Sequence, residues 1–228
     1  MRKSMKSKKS MKNLLSSIKE TVSVPLKFHW SVLLLPALLI FYNGAFGIVL
    51  FAMLFSSLLF HEYAHVWMAQ RQKLYVPYVI THGFGAAAMI SMTDFTDYKK
   101  NLKIAIAGPI GSFILLGIGS VLYSIFHFTW IIYFVYINFL LGTFNLLPLF
   151  PSDGGRILYS LLGMKLGGFK AIKIAVWVSW ALCGLGILYG LLAGSWWLVI
   201  VLGLLIVMSI QEKKTTEARL NGFEIEYK

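Results

Sequence analysis

The sequence predicts an all-α polytopic membrane protein, six transmembrane helices with a small cytosolic-side β-hairpin or sheet after the second span. Three observations lead there. Of 228 residues, 58% are hydrophobic and only 13% charged, about half the charged share of a soluble domain. Apolar runs near the ~20 residues that cross a bilayer recur at 31–48, 50–69, 102–125, 129–147, 171–191 and 194–211. The basic residues, finally, are confined to alternate gaps between those runs.

Residues 1–27 hold eight of the 21 Lys and Arg, residues 70–103 five, residues 156–173 four and the C-terminal tail four. The short connections around Tyr42-Asn43-Gly44, Phe126-His127-Phe128 and Ala193-Gly194-Ser195 hold none. With six spans every basic residue falls on one face, and the positive-inside rule makes that face the cytosol, with both termini there. The net charge of +12 is therefore a topology signal and not a nucleic-acid face, so the expected surroundings are the lipid bilayer of a multi-pass protein, without nucleic acid. A single domain over 1–228 is expected, with 1–27 a basic cytosolic tail on anionic lipid and 212–228 a second cytosolic tail. Cys183, the only cysteine, lies in an apolar run and is expected to pack there.

Two connections depart from plain loops. Residues 74–93, LYVPYVITHGFGAAAMISMT, combine β-formers with small residues around Gly83 and Gly85 and read as a hairpin at the cytosolic surface. Residues 148–170 carry Pro148, Pro151 and Gly154-Gly155, so the fourth helix must break near its cytosolic end.

The second span contains His61-Glu62-Tyr63-Ala64-His65. Residues four apart share a helix face, ~6 Å apart along the axis, so both imidazoles can bind one Zn²⁺ with the glutamate beside its water. Zinc lowers the pKa of such a water toward ~7, and Glu62 can take the proton and pass it to a leaving amine. Three ionisable groups within five residues of a membrane helix cost about 3 kcal/mol each unless paired. Metal ligation removes that cost, whereas ordinary packing does not. One Zn²⁺ per chain is expected, and no organic cofactor.

Elimination supplies the third ligand. Between Glu62 and Glu212 the only acids are Asp94, Asp97 and Asp153. The first two belong to the charged stretch DFTDYKK, which reads as solvated. Asp153 follows the Pro-broken end of the fourth span, which runs in the same direction as the second, so both motifs reach the same leaflet. Asp153 is the expected ligand, leaving a fourth position open. His29, His82 and His127 are weaker candidates, and His127 falls on the opposite face.

At these residues the chain resembles the site-2 protease family of intramembrane zinc metalloproteases, whose minimal archaeal and sporulation-type members have six spans. Lys27-Phe28-His29-Trp30 is similar to the family's start of span one, Phe60 to His65 to its zinc motif, and Ala107-Gly108-Pro109-Ile110-Gly111-Ser112 to its third-span motif. FNLLPLFPSDGGRIL, from Phe144 through Leu158, resembles its second signature. Ser152 departs from the pattern, standing where the family usually has an apolar residue, and His82 stands where many relatives have proline.

The resemblance implies regulated intramembrane proteolysis of a transmembrane protein substrate in a prokaryotic cell membrane. It also implies that Asn145 helps hold the substrate or a developing oxyanion; from the residues alone, Asn145 could equally satisfy backbone groups freed by the helix break. A helical substrate must unwind before hydrolysis, and the hairpin offers an edge on which it could add as a strand. Gly83, Phe84 and Gly85 suit that substrate-binding role, since small side chains permit close backbone approach. The alternative from another class is a non-proteolytic metal-binding membrane protein, a zinc transporter or scaffold. It is disfavoured because the polar groups cluster at one depth and do not run through the bilayer.

Overall fold

The computed structural model describes residues 16–17, 20–21, 23–82, 85–91 and 96–222. Strand β1 (Leu26–Phe28) leads through a 3₁₀ turn (Trp30–Leu33) into helices α1 (Leu34–Asn43) and α2 (Phe46–Arg71). Strands β2 (Tyr75–His82) and β3 (Gly85–Ser91) follow, then α3 (Tyr98–Phe126), α4 (Thr129–Leu146), α5 (Asp153–Leu166), α6 (Gly168–Leu192) and α7 (Trp196–Leu220).

Five of these helices, α2, α3, α4, α6 and α7, are long and apolar enough to cross a membrane. The first expected span is shorter than the hydropathy suggests. Residues 31–48 do not form one helix: the apolar run Trp30–Asn43 ends at Gly44, whose φ is +59°, and Phe46 already belongs to α2. Ten α-helical residues rise only ~15 Å, about half a ~30 Å hydrocarbon core. Hydropathy averages across Asn43-Gly44, whereas the backbone reverses there. Gly47 tightens this corner, since a Cβ on it would lie 2.3 Å from the Leu39 carbonyl oxygen.

The chain divides into two units, Met1–Met92 with Ile110–Phe139 and Thr93–Pro109 with Leu140–Lys228, so that α3 and α4 contribute to both. In the first unit the expected hairpin is a three-stranded sheet of order β1-β2-β3. The antiparallel β2–β3 pairing runs from Tyr75↔Ser91 to His82↔Gly85, with an irregularity between Tyr75 and Tyr78. Pro77 lies in that interval, where a residue unable to donate to the ladder is tolerated. The added strand, β1, pairs parallel with β2 through Leu26↔Val79, Lys27↔Ile80 and Phe28↔Thr81. Three strand residues with a Lys in the middle gave too little periodicity to register, so residues 26–27 read as tail. Beside β1, the Tyr63 hydroxyl donates to the Val24 carbonyl at 3.0 Å and the Thr21 hydroxyl to Gln70 Oε1 at 2.7 Å, tying this arm along α2.

Inside the first unit, the fully buried Asn138 amide donates to Ser57 Oγ and to the Phe134 carbonyl, both at 2.9 Å. Such a bond joins α4 to α2 where lipid offers no competing partner.

The second unit is built around the helix break. Phe150, 2% exposed, packs with Tyr159, Ala171, Ile172, Ala175 and Val176, and its N–H donates to Ser179 Oγ at 3.1 Å. Trp180 Nε1 donates to Ser209 Oγ at 2.7 Å, joining α6 to α7. Cys183 packs with Leu149 and Leu202, as expected of a small apolar residue. Trp196 and Trp197, exposed at the start of α7, have the placement of an interfacial aromatic belt.

Candidate metal centre

Helix α2 places both histidines of the motif on a buried stripe. Ser57, His61 and His65 are all buried, and a spacing of four keeps successive members near one face.

His61 and His65 are 2% and 5% exposed. Their ring centroids lie 4.9 Å apart with planes at 78°, and a ring nitrogen of one lies within 4.8 Å of a ring nitrogen of the other. Two imidazoles so close within an apolar helix suit a shared cation, because a neutral ring of each type can give a lone pair to it. His61 Nδ1 is 2.9 Å from Ser112 Oγ on α3, itself fully buried. When Nδ1–H donates to that hydroxyl, the lone pair sits on Nε2, the tautomer a metal requires of the outer nitrogen. The donor chemistry therefore fits a zinc ion.

Glu62 projects differently. Its Oε2 accepts the backbone N–H of Ala88 at 3.0 Å. Ala88 is opposite Val79 of β2 and β3 is an edge strand, so a donor aimed at α2 lies on the edge that β2 does not use. The carboxylate of the HExxH motif thus takes up one strand-pairing position of the sheet.

Asp153 opens α5 in the second unit. It is 7% exposed, and a carboxylate in a first helical turn is favoured by the helix dipole. The preceding loop is shaped by close backbone approach: a Cβ on Gly154 would lie 2.1 Å from the Leu147 carbonyl oxygen and 2.4 Å from that of Leu146. On Gly155 it would meet Phe150 N at 2.9 Å. Ser152, the departure from the family pattern, turns out to be useful here. Its hydroxyl lies 2.9 Å from the Leu147 carbonyl and 2.5 Å from that of Leu149, which also accept the turn N–H groups of Leu149 and Ser152 respectively.

Asn145 lies on α4, and its Nδ2 donates back to the Leu141 carbonyl at 2.9 Å. Gly85 begins β3, while Gly83 and Phe84 lie outside the described residues. Among the weaker histidines, His29 Nδ1 accepts from the Ser31 N–H at 3.3 Å, capping the 3₁₀ turn, and His127 Nδ1 is 2.9 Å from the Tyr123 carbonyl. Asp97, read as solvated, caps α3: its Oδ1 accepts from Lys100 N at 3.1 Å. The sequence reading missed the roles of Ser112 and of the Ala88 N–H. A serine inside the small-residue run of a third span was the available signal for the first; a backbone donor leaves no mark in sequence.

Comparison with known proteins converges on one group. Residues 122–186 match the family model of Peptidase family M50. A zinc metalloprotease of Methanocaldococcus jannaschii is 33% identical over 208 residues, covering 86% of this chain and 60% of its own length. Rip3 of Mycobacterium tuberculosis is 31% identical over 225 residues, covering 82% of this chain and 55% of its own. The chain thus spans somewhat over half the length of these curated relatives. The solved structure of a site-2 protease from Methanocaldococcus jannaschii superposes with a TM-score of 0.67 at 29% identity, covering 90% of this chain and 94% of that one.

Proposed function

From the premise that this chain belongs to peptidase family M50, the site-2 proteases, we propose that it is an intramembrane zinc endopeptidase. The observation that carries the reading is the buried His61–His65 pair on an apolar helix, with the intervening Glu62 held against a sheet edge.

His61, His65 and Asp153 are the ligands in this reading. Each is buried and each offers one ligand atom of a kind zinc takes. The bound ion supplies Lewis acidity, acidifying water and polarising a carbonyl. Glu62 is the catalytic base: its carboxylate accepts a proton as water adds to the scissile carbonyl, then returns it to the departing amine. Asn145, one turn from the helix break, donates to the substrate backbone or the developing oxyanion, exchanging its Leu141 contact for that bond.

The substrate is a transmembrane segment of another membrane protein, locally unwound. It adds as a strand along the edge of β3 that β2 does not use, guided by Gly83, Phe84 and Gly85. The Ala88–Glu62 hydrogen bond supports this reading, since a strand on that edge runs alongside the Glu62 carboxylate. The distribution of basic residues supports a cytosolic location for both termini and for the sheet, and the archaeal and bacterial sources of the relatives support a prokaryotic cell membrane.

The test is Glu62→Gln in purified protein with a model transmembrane substrate. Cleavage is expected to fall at least about a hundredfold, the lower range for a general base, while one zinc per chain is retained. Cleavage by Glu62→Gln at the wild-type rate would remove Glu62 as the base, and zinc-loaded wild type that cleaves no substrate would return the chain to the class of metal-binding scaffolds.

A further inference from the structure

An imidazole on a membrane helix can turn about its own side-chain bonds and can carry its proton on either nitrogen. Only one of these states offers Nε2 to a metal. His61 is held in one orientation by a contact outside its own helix, with Ser112 Oγ 2.9 Å from Nδ1 and fully buried.

The neighbouring glycine explains how α3 comes close enough to make that contact. A Cβ on Gly111 would lie 3.1 Å from the Ala64 Cβ and 3.5 Å from the Phe60 ring. Phe60 and Ala64 flank His61, so α3 is seated on the turn of α2 that carries the ligand, with Gly111 facing it at close range. The next residue of α3 then presents its hydroxyl to the imidazole.

We infer that Ser112 is a positioning residue for the metal centre, accepting the Nδ1–H of His61 and so selecting the tautomer and ring orientation that ligates through Nε2, with Gly111 setting the helix spacing this requires. The inference rests on the reading of His61 as a zinc ligand. It assigns a function to the second half of the AGPIGS stretch that neither the HExxH nor the DGG motif supplies. Replacing the hydroxyl removes the acceptor without touching any ligand, and the loss should appear as weaker metal binding.

The experiment measures Zn²⁺ affinity of the metal-stripped full chain in detergent by competition with a chromophoric chelator. Wild type, Ser112→Ala, Ser112→Thr, Gly111→Val and His61→Ala are compared, and the Tm of each metal-free protein is recorded. Ser112→Ala is expected to weaken Zn²⁺ about 10- to 100-fold, with one ion still bound at saturation and the metal-free Tm unchanged. Ser112→Thr, which keeps the hydroxyl, should restore most of the affinity, and Gly111→Val should weaken it. Wild-type affinity in Ser112→Ala, with binding lost in His61→Ala, overturns the positioning role while leaving His61 a ligand. Undiminished affinity in His61→Ala removes the ligand reading and this inference with it. A fall in Ser112→Ala affinity matched by a fall in metal-free Tm, with no rescue by threonine, marks a packing role and also overturns the inference.

Discussion

The Glu62 carboxylate accepts the main-chain N–H of Ala88 at 3.0 Å, so the acidic residue between two buried histidines is engaged by an edge strand of the sheet. That bond does two things. It restrains the rotamer of the side chain proposed as the catalytic base, and it occupies one main-chain donor on the outer edge of β3. Proline at Ala88 deletes the donor on the edge away from β2, where no ladder bond is lost. Ala88→Pro is expected to lower kcat for a transmembrane substrate by at least about tenfold, the scale of losing a charge-assisted hydrogen bond, with zinc content unchanged. Zinc content and kcat measured on the same preparation check it; an unaltered kcat would make the Ala88 contact incidental.

Ligand assignment makes a graded prediction. His61→Ala and His65→Ala each remove one of two neutral nitrogen donors, and Asp153→Ala removes the charged oxygen. Each is expected to bring zinc well below one equivalent after dialysis against a weak chelator. Asp153→Asn keeps the size but loses the charge, and should bind more weakly than wild type and more tightly than Asp153→Ala. Stripping wild type with a strong chelator should abolish cleavage, and stoichiometric Zn²⁺ should restore it. Metal analysis by mass spectrometry reads all of these; full zinc in Asp153→Ala would remove that residue from the ligand set.

How much of this was readable beforehand differs by element. The HExxH motif was plain because charge on an apolar helix is costly, and Asp153 followed because so few acids exist between Glu62 and Glu212. The helix break was equally plain, since Pro148 and Pro151 cannot continue an α-helix. The extent of the first apolar helix was not, because a hydropathy window sums over Gly44 whereas the backbone turns at it. Strand β1 was hidden for a related reason: three residues pair with β2 through main-chain groups, which side-chain pattern does not report. Ser112 and Ser152 show the same limit. Ser112 acts at a place set by tertiary contact, beside His61, and Ser152 at one set by the fold of the broken loop, over the carbonyls of Leu147 and Leu149.

The Asp-Gly-Gly turn gives a stability prediction with an internal control. At Gly154 even a methyl group would overlap two carbonyl oxygens, those of Leu147 and Leu146, and backbone cannot yield as a flexible side chain does. Gly154→Ala is expected to cost about 1–3 kcal/mol, the range for overpacking, and to lower both Tm and zinc content through the displaced Asp153. Gly203 on α7 has nothing within 4 Å of its would-be Cβ, so Gly203→Ala should be neutral or gain roughly 0.5–1 kcal/mol from helix propensity. Thermal unfolding of the two variants side by side checks the contrast. Equal Tm values would mean the DGG loop tolerates bulk that its carbonyl contacts say it cannot.

Asp97 supplies a dependence on pH. Its Oδ1 accepts the Lys100 N–H at 3.1 Å and its Oδ2 pairs with the Lys100 ammonium at 2.9 Å, and these contacts hold its carboxyl below the ordinary value. A carboxyl with a lowered folded-state pKa contributes stability that is complete above the unfolded pKa, ~3.9. That contribution is lost as pH falls through the folded value. As the N-cap of α3 it should be worth about 1 kcal/mol at neutral pH. Asp97→Ala is therefore expected to lower Tm at pH 7, and the gap from wild type should shrink as pH falls below about 4 and close once the carboxyl is protonated. High salt should erode only the Lys100 ion pair, which is solvent-exposed, and leave the cap. Thermal melts at pH 7, 5 and 3 in detergent decide it, and a gap that widens toward acid would contradict the assigned sign.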